Sequence, residues 1–184
     1  MKRYLAIISL ALIFAFSAKA QTYVTKNGYI RFFSDAAVEK IEANNRQVNA
    51  ALNVATGDFV FKVLMKSFLF EKALMQEHFN ENYVESDKFP ESTFLGKIAN
   101  IKEINFTKDG SYPATVEGKL TIHGVTQVVK QSGTIEINKE LLSAKAKFNI
   151  LLSDYKISVP NTVVNNISKT IAITVDAAMT KLNK

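Results

Sequence analysis

Hydrophobic and polar residues alternate with a period of two along most of this chain. In the run QVNAALNV, Val48, Ala50 and Leu52 fall on one side of an extended chain, and the run FVFKVLMK repeats the pattern after a polar turn at residues 56–58. Because successive side chains of a β-strand point to opposite faces, the alternation predicts strands that are apolar on one side only. The short turn between the two runs predicts a hairpin.

Similar alternating runs recur further along the chain, at residues 92–106, 116–137, 141–152 and 170–179. In the first of them the pattern extends through Ile104 and Phe106 to a turn at 108–110. Strands of about 8 to 11 residues, joined by short turns without recurrent helical segments, predict an all-β fold. They favour an antiparallel eight-stranded barrel over a sandwich of short strands. The run AAVEKIEA, residues 36–43, fits a helix and a strand equally well.

One polar segment interrupts the alternation. It is LMQEHFNENYVESDKFPESTF, residues 74–94, in which Met75, Phe79 and Tyr83 recur at four-residue spacing. This spacing predicts one or two short helical turns that carry the three side chains on one side, as a lid would. Phe89 precedes Pro90 and is biased towards extended geometry, which suits a chain that re-enters the sheet.

The first twenty residues differ in character from the rest. They contain two basic residues near the start, an apolar stretch at 4–18, and Ala-Lys-Ala before Gln21. This is the pattern of a secretory signal peptide that is cleaved after Ala20. The apolar stretch is shorter than the roughly 20 residues of a membrane-spanning helix. We therefore expect a periplasmic or secreted protein with one barrel domain at residues 21–184.

Charge and composition narrow the range of partners. Cleavage after Ala20 removes Lys2, Arg3 and Lys19 and no acid, so the formal net charge falls from +6 to +3. The remaining charges are scattered, without a dense basic run, and this argues against a nucleic-acid partner. The charge and composition are compatible with a transient contact with a membrane surface and with a homodimer. The chain has no cysteine, so its stability must come from a core and not from disulfides.

Residues suited to catalysis or metal binding are sparse. The chain has two histidines, His78 and His123, and no acidic cluster at ligand spacing, so we expect no metal site and no cofactor. There is no Gly-x-Ser-x-Gly motif, and Glu77 and Glu81 are interpreted as a solvated helix face. His78 is interpreted as a polar residue at a helix end, with contact to a ligand head group as the alternative, and His123 as an exposed turn residue. The sequence predicts a protein that is not an enzyme.

Three segments in a fixed order carry a family resemblance. HFNENYVESDKFPESTFLGKI, GKLTIHGVTQVV and FNILLSDYKISVP resemble the YceI-like family of exported, lipocalin-like, polyisoprenoid-binding proteins. Phe89 and Pro90 followed by Phe94, and the turn Gly124, Val125, Thr126, carry much of the likeness, and the matching patterns span about residues 59–179. The family usually opens with a Trp or Tyr, an Asp and a His-Ser pair, whereas this chain has TYVTKNGYIRFFSDA. The resemblance implies a lipocalin-like barrel with the helical connection beside one end.

The inward residues suit either a filled core or a ligand cavity, and the residues alone support both equally. Small inward residues, Gly96, Gly118, Ala144, Ala146 and Ala177, would leave space inside the barrel. The resemblance favours a cavity that holds a long apolar molecule such as a polyisoprenoid, a quinone or another lipid. The alternative is a structural or stress-related protein-interaction domain with a filled barrel. The predicted lipid contacts are Phe59, Phe61, Val63, Met75, Phe79, Tyr83, Phe94, Leu120, Ile122, Ile135, Phe148, Ile150 and Ile173.

Overall fold

Antiparallel strands make up most of the computed structural model, which describes residues 21–182. The predicted signal peptide lies outside these described residues. The strands and the one α-helix of this part are β1 (Thr22–Asp35), β2 (Lys40–Asn53), β3 (Asp58–Leu64), β4 (Leu69–Phe70), α1 (Ala73–His78), β5 (Glu91–Ile98), β6 (Gly110–Ile122), β7 (Val125–Asn138), β8 (Leu141–Leu151) and β9 (Thr170–Lys181). Shorter turns are a π-helical turn at Phe79–Tyr83 and 3-10 helices at Met65–Ser67, Ile101–Glu103, Leu152–Tyr155 and Asn161–Val163.

The long strands close on themselves. Eight of them pair in the order β1-β9-β8-β7-β6-β5-β3-β2, and β2 pairs again with β1. All of these pairings are antiparallel, and the two-residue β4 adds to the side of β2. The predicted antiparallel eight-stranded, lipocalin-like barrel with a short helix in one connection is thus confirmed. The ambiguous segment at 36–43 turns out to be a tight turn, in which Ala36 N donates to Glu39 O, followed by the start of β2.

One end of the barrel is filled with side chains. At this closed end, where β2 turns into β3, Leu52, Ile98, Leu142 and Met179 are almost completely buried in a single apolar cluster. Ile104 joins the cluster from the connection between β5 and β6. Burial of these side chains stabilises the barrel by about 1.5–3 kcal/mol for each large aliphatic residue.

The alternation through Ile104 and Phe106 does not form a strand, so this part of the prediction is wrong. The chain instead makes the 3-10 helix Ile101–Glu103 and then a turn. Asn105 Oδ1 accepts hydrogen bonds from the backbone N and the hydroxyl of Thr107, at 3.0 and 2.8 Å. Such local side-chain bonds satisfy the backbone without a ladder and compete with strand formation.

The opposite end of the barrel, where β3 ends at Leu64 and β5 begins at Glu91, is the open end. The connection at 65–90, which contains α1 and the π-helical turn, lies over one side of it, and the connection at 152–169 crosses the other side. Within residues 21–182, no helix has the length and apolar character needed to cross a membrane.

Candidate ligand cavity

An apolar cavity of about 370 Å³ lies inside the barrel, above the closed-end cluster. Ala114, Ile135 and Ala144 belong both to that cluster and to the cavity lining, so they form its floor. The cavity extends from there to Phe79 and Tyr83 at the open end. Its volume lies in the range of roughly 300–1,000 Å³ that is usual for ligand sites.

All thirteen residues predicted as lipid contacts line this cavity. They come from β3, β5, β6, β7, β8 and β9 and from the connection at the open end, because the period-two pattern places each strand's apolar side inward. The structure thus brings all of them together in the lining of one cavity. Their role as lipid contacts stays a prediction.

Sequence reasoning missed part of the lining. Ile30 and Phe32 of β1 line the cavity together with Ser34, and their two-residue spacing was a signal for it. Phe68 and Phe70 lie in the apolar run FLF, which is too short to show a period. The connection at 152–169 contributes lining residues without any periodic pattern, namely Leu152, Ile157, Val163, Asn166 and Ile167.

The small inward residues do not all leave space, which corrects the sequence-based expectation. Gly96 pairs with Gly118 across β5 and β6, and a Cβ atom on Gly118 would lie 2.5 Å from Gly96 Cα. These two glycines therefore allow the strands to approach closely, and they do not line the cavity. Ala177 is completely buried in the closed-end cluster. Only Ala144 and Ala146 open space for a ligand.

Phe79 anchors the lid, which comprises α1 and the π-helical turn. Its ring lies 5.4 Å from Phe32, 5.6 Å from Phe68 and 5.1 Å from Phe70, measured between centroids. The stacked and edge-on geometries of these pairs contribute about 0.5–1.5 kcal/mol each beyond area burial. Phe79 therefore connects the lid to the barrel wall and to the connection before it.

The π-helical turn keeps the three predicted lid residues on the cavity side. Val84 N donates to Phe79 O at 2.9 Å, an i to i+5 bond that widens the last turn. Met75, Phe79 and Tyr83 all line the cavity as a result. Burial raises the pKa of the Tyr83 phenol, so this side chain stays neutral beside the apolar space.

Polar groups form a rim where the lid meets the barrel. Glu39 accepts a hydrogen bond from Lys72 Nζ at 2.9 Å, and this bond lowers the pKa of the Glu39 carboxyl. His78, the last residue of α1, is exposed and also lines the cavity, as does Asn166. The position of His78 agrees with a helix-end residue and leaves the head-group contact open. Glu77 and Glu81 are exposed, in agreement with a solvated helix face.

His123 is not the exposed turn residue that the sequence suggests. Its side chain is only 12% exposed, with Nδ1 3.1 Å from Tyr155 O and Nε2 2.6 Å from a Glu85 carboxylate oxygen. Both partners accept hydrogen bonds, so this geometry suits a ring that donates from both nitrogens. The His123 bond lowers the pKa of Glu85. Residues far apart in sequence thereby tie the β6–β7 turn to the lid connection and to the 3-10 helix Leu152–Tyr155.

The barrel wall is incomplete between β7 and β8. These strands pair only from Gly133 with Ala146 to Asn138 with Leu141, so residues 125–132 and 147–151 have no pairing with each other. The 3-10 helix Leu152–Tyr155 bridges the top of this lateral gap, where Gln127 Nε2 donates to Asp154 O at 2.7 Å. Phe148 and Ile150 line the cavity beside the gap and are half-buried.

No cluster of three or more metal-ligating side chains occurs among residues 21–182. The cavity is lined almost entirely by apolar side chains, and its charged lining residues are already paired, Glu39 with Lys72 and Lys145 with Glu136. This surface is suited to holding an apolar molecule in place.

A closed antiparallel barrel with one filled end and one apolar cavity is the fold class that these observations define. Residues 19–179 match the YceI-like domain, and the chain belongs to this family. The resemblance of the three sequence segments is thereby confirmed. No protein of curated function matches the sequence.

Solved structures share the fold at low sequence identity. A polyisoprenoid-binding domain from Saccharophagus degradans, implicated in plant cell wall breakdown, aligns with a TM-score of 0.76 and 12% identity over 89% of this chain and 100% of that chain. BcnA of Burkholderia cenocepacia aligns with a TM-score of 0.68 and 16% identity over 83% and 95% of the two chains. The YceI protein of Campylobacter jejuni aligns with a TM-score of 0.57 and 16% identity over 77% and 85%.

Proposed function

We propose that this protein binds a long apolar molecule, a polyisoprenoid, a quinone or another lipid, inside the barrel and performs no chemistry on it. The observation that carries the proposal is the apolar cavity of about 370 Å³, closed at one end by a packed core. This cavity favours the proposal over the alternative of a structural domain with a filled barrel. The polyisoprenoid-binding domain of Saccharophagus degradans, which has the same fold, supports this class of ligand.

The energetics suit a ligand that is mostly hydrocarbon. Each 100 Å² of apolar surface removed from water contributes about 2.5 kcal/mol, whereas association costs an estimated 4–15 kcal/mol. A ligand must therefore bury several hundred Å² to bind, which favours a long chain over a small apolar solute. An elongated molecule that runs from the floor at Ile135 to the lid at Phe79 meets apolar side chains over this whole path.

Entry of the ligand requires either the lid or the lateral gap to open. The lid is held by the Phe79 cluster and by the ion pair between Lys72 and Glu39, which is exposed and contributes little. We propose that the ligand passes the lid at the open end, because no disulfide and no buried ion pair fastens α1 or the π-helical turn there.

We further propose that the protein is exported and loads its ligand during a transient contact with a membrane surface. The signal-peptide pattern at residues 1–20 supports export, and the scarcity of long-chain lipids in free solution supports loading at a bilayer. N-terminal sequencing of exported material should begin at Gln21. A protein that keeps residues 1–20 would contradict this localisation.

The ligand can be identified from the protein itself. Native mass spectrometry of protein purified without detergent from the exporting cell should show a lipid adduct, and solvent extraction should remove it. The same spectra resolve a homodimer from a monomer. Protein without any adduct that also takes up no polyprenol, quinone or fatty chain after extraction would overturn the proposal.

A further inference from the structure

One uncharged polar side chain reaches into the apolar cavity from the middle of the wall. Gln131 lies on β7, where odd-numbered residues face inward: Val129, Gly133 and Ile135 line the cavity with it. The exposed neighbours Lys130 and Ser132 face outward. At about 3.3 Å per residue, Gln131 lies about 13 Å along β7 from the floor residue Ile135, in the part of the strand that borders the lateral gap.

Its amide has no hydrogen-bond partner among residues 21–182, in contrast to the other inward polar side chains of the barrel strands. Ser34 Oγ accepts from Ser168 N at 2.8 Å, and Ser92 Oγ donates to Met65 Sδ at 3.1 Å. The Gln131 side chain offers two N–H donors and a carbonyl acceptor to the cavity. An amide covered by an apolar ligand without a partner is destabilised, so a bound hydrocarbon would be penalised here.

The surrounding charges indicate which partner would satisfy the amide. Lys145, near the lateral gap, is engaged by Glu136 at 2.5 Å, and Glu39 at the rim is engaged by Lys72. Apart from His78 at the rim, the described lining therefore offers no unpaired basic side chain to compensate a phosphate or carboxylate inside the barrel. A neutral oxygen, such as a hydroxyl or carbonyl group, can bond to an amide without a charge being buried.

We infer that Gln131 is a specificity-determining residue, whose side-chain amide hydrogen-bonds a neutral hydroxyl or carbonyl oxygen of the bound apolar molecule. A ligand whose only oxygen is at one end is then bound with that end inside the barrel, at the level of Gln131. The inference rests on the proposed function and adds the polar chemistry of the ligand and the position of its polar group.

The test compares three ligands of equal chain length, a prenyl alcohol, the corresponding hydrocarbon and the prenyl monophosphate, by competition against a fluorescent apolar probe. The variant Gln131→Leu has a similar side-chain volume and no polar group. Relative to wild type, it should weaken the alcohol against the hydrocarbon by about fivefold or more, the size of one net hydrogen bond. The monophosphate should bind wild type more weakly than the alcohol.

Val129→Ala is the matched control, because it removes apolar contact from the next inward position of the same strand. It should weaken the alcohol and the hydrocarbon by equal factors. As a second readout that needs no variant, the side-chain NH₂ resonances of Gln131 should shift downfield with the alcohol and not with the hydrocarbon.

An alcohol-to-hydrocarbon ratio that is the same in wild type and Gln131→Leu overturns the inference, as does a change of equal size in Val129→Ala. Tight binding of the monophosphate overturns the assignment of a neutral group. Binding of all three ligands with no change of ratio leaves the proposed function standing and removes only the role of Gln131. Failure of wild type to bind any of the three overturns both.

Discussion

At the scale of single residues, side chains with the same apparent pattern have different tasks. Gly96 and Gly118 occupy inward positions of alternating runs, yet they bring two strands together, whereas Ala144 and Ala146 in the same kind of run leave space for a ligand. His123 lies in a tight turn, yet its ring is bonded to Glu85, 38 residues away in sequence. Contacts between residues distant in sequence depend on closure of the barrel, so a local sequence pattern does not predict them.

Gly118→Ala should destabilise the barrel, because the new Cβ would lie 2.5 Å from Gly96 Cα and from Leu95 O. The strands would have to separate, at a cost of about 1–3 kcal/mol or more in the free energy of unfolding. Gly110→Ala is the control, since its nearest contact would be at 3.4 Å, with the flexible Tyr112 ring. Denaturant titration measures both, and equal losses in the two variants would contradict the close approach of β5 and β6.

Glu85→Gln should make thermal stability less dependent on pH. The His123 bond lowers the pKa of Glu85 below its ordinary value of 4.5, so the charged form stabilises the folded state above pH 4.5. This contribution is lost as the pH falls through the lowered folded-state pKa. The melting temperature of the variant should lie below that of wild type near neutral pH, and the two should converge at pH values below the lowered pKa of Glu85. A constant difference over this range would show that the Glu85 charge does not contribute.

At the scale of elements, the lid is a short connection that owes its position to aromatic packing. The six-residue α1 has no buried residue of its own, and a helix of this length has little intrinsic stability. The cluster of Phe32, Phe68, Phe70 and Phe79 holds it against the barrel. Phe79 is thus an anchor of the lid as well as part of the cavity lining.

Phe79→Ala should speed ligand release and also lower stability. Its ring is half-buried, so the loss should stay below the about 3–5 kcal/mol of a fully buried phenylalanine. Leu74→Ala, on α1 of the same lid, is the control because Leu74 is 60% exposed, and it should change neither quantity appreciably. Stopped-flow displacement and thermal melting measure the two effects. Release at the wild-type rate from Phe79→Ala would show that the lid does not retain the ligand.

At the scale of the whole molecule, the alternating pattern predicts most of the barrel and its lining. Because each strand keeps its apolar residues on one side, closure of the sheet brings the ten predicted contacts on strands to one cavity, and the lid adds the other three. The pattern does not predict where pairing stops. Residues 125–132 alternate as regularly as the rest of β7, yet they do not pair with β8. Alternation within one strand carries no information about its neighbour, so the lateral gap could not be predicted from it. The lining from the connection at 152–169 is equally unpredictable, since it has no period.

The central claim is that the barrel holds one long apolar molecule in its cavity. The most direct test is to titrate lipid-stripped protein with a polyprenol and to compare wild type with the variant Ala146→Phe. Ala146 lines the cavity on β8, and a phenyl ring there should fill free space, with at most about 1–3 kcal/mol of strain. Wild type should bind with a stoichiometry of about one, and Ala146→Phe should stay folded and lose most of the affinity. Equal binding by wild type and a folded Ala146→Phe variant would place the ligand outside the cavity and contradict the account.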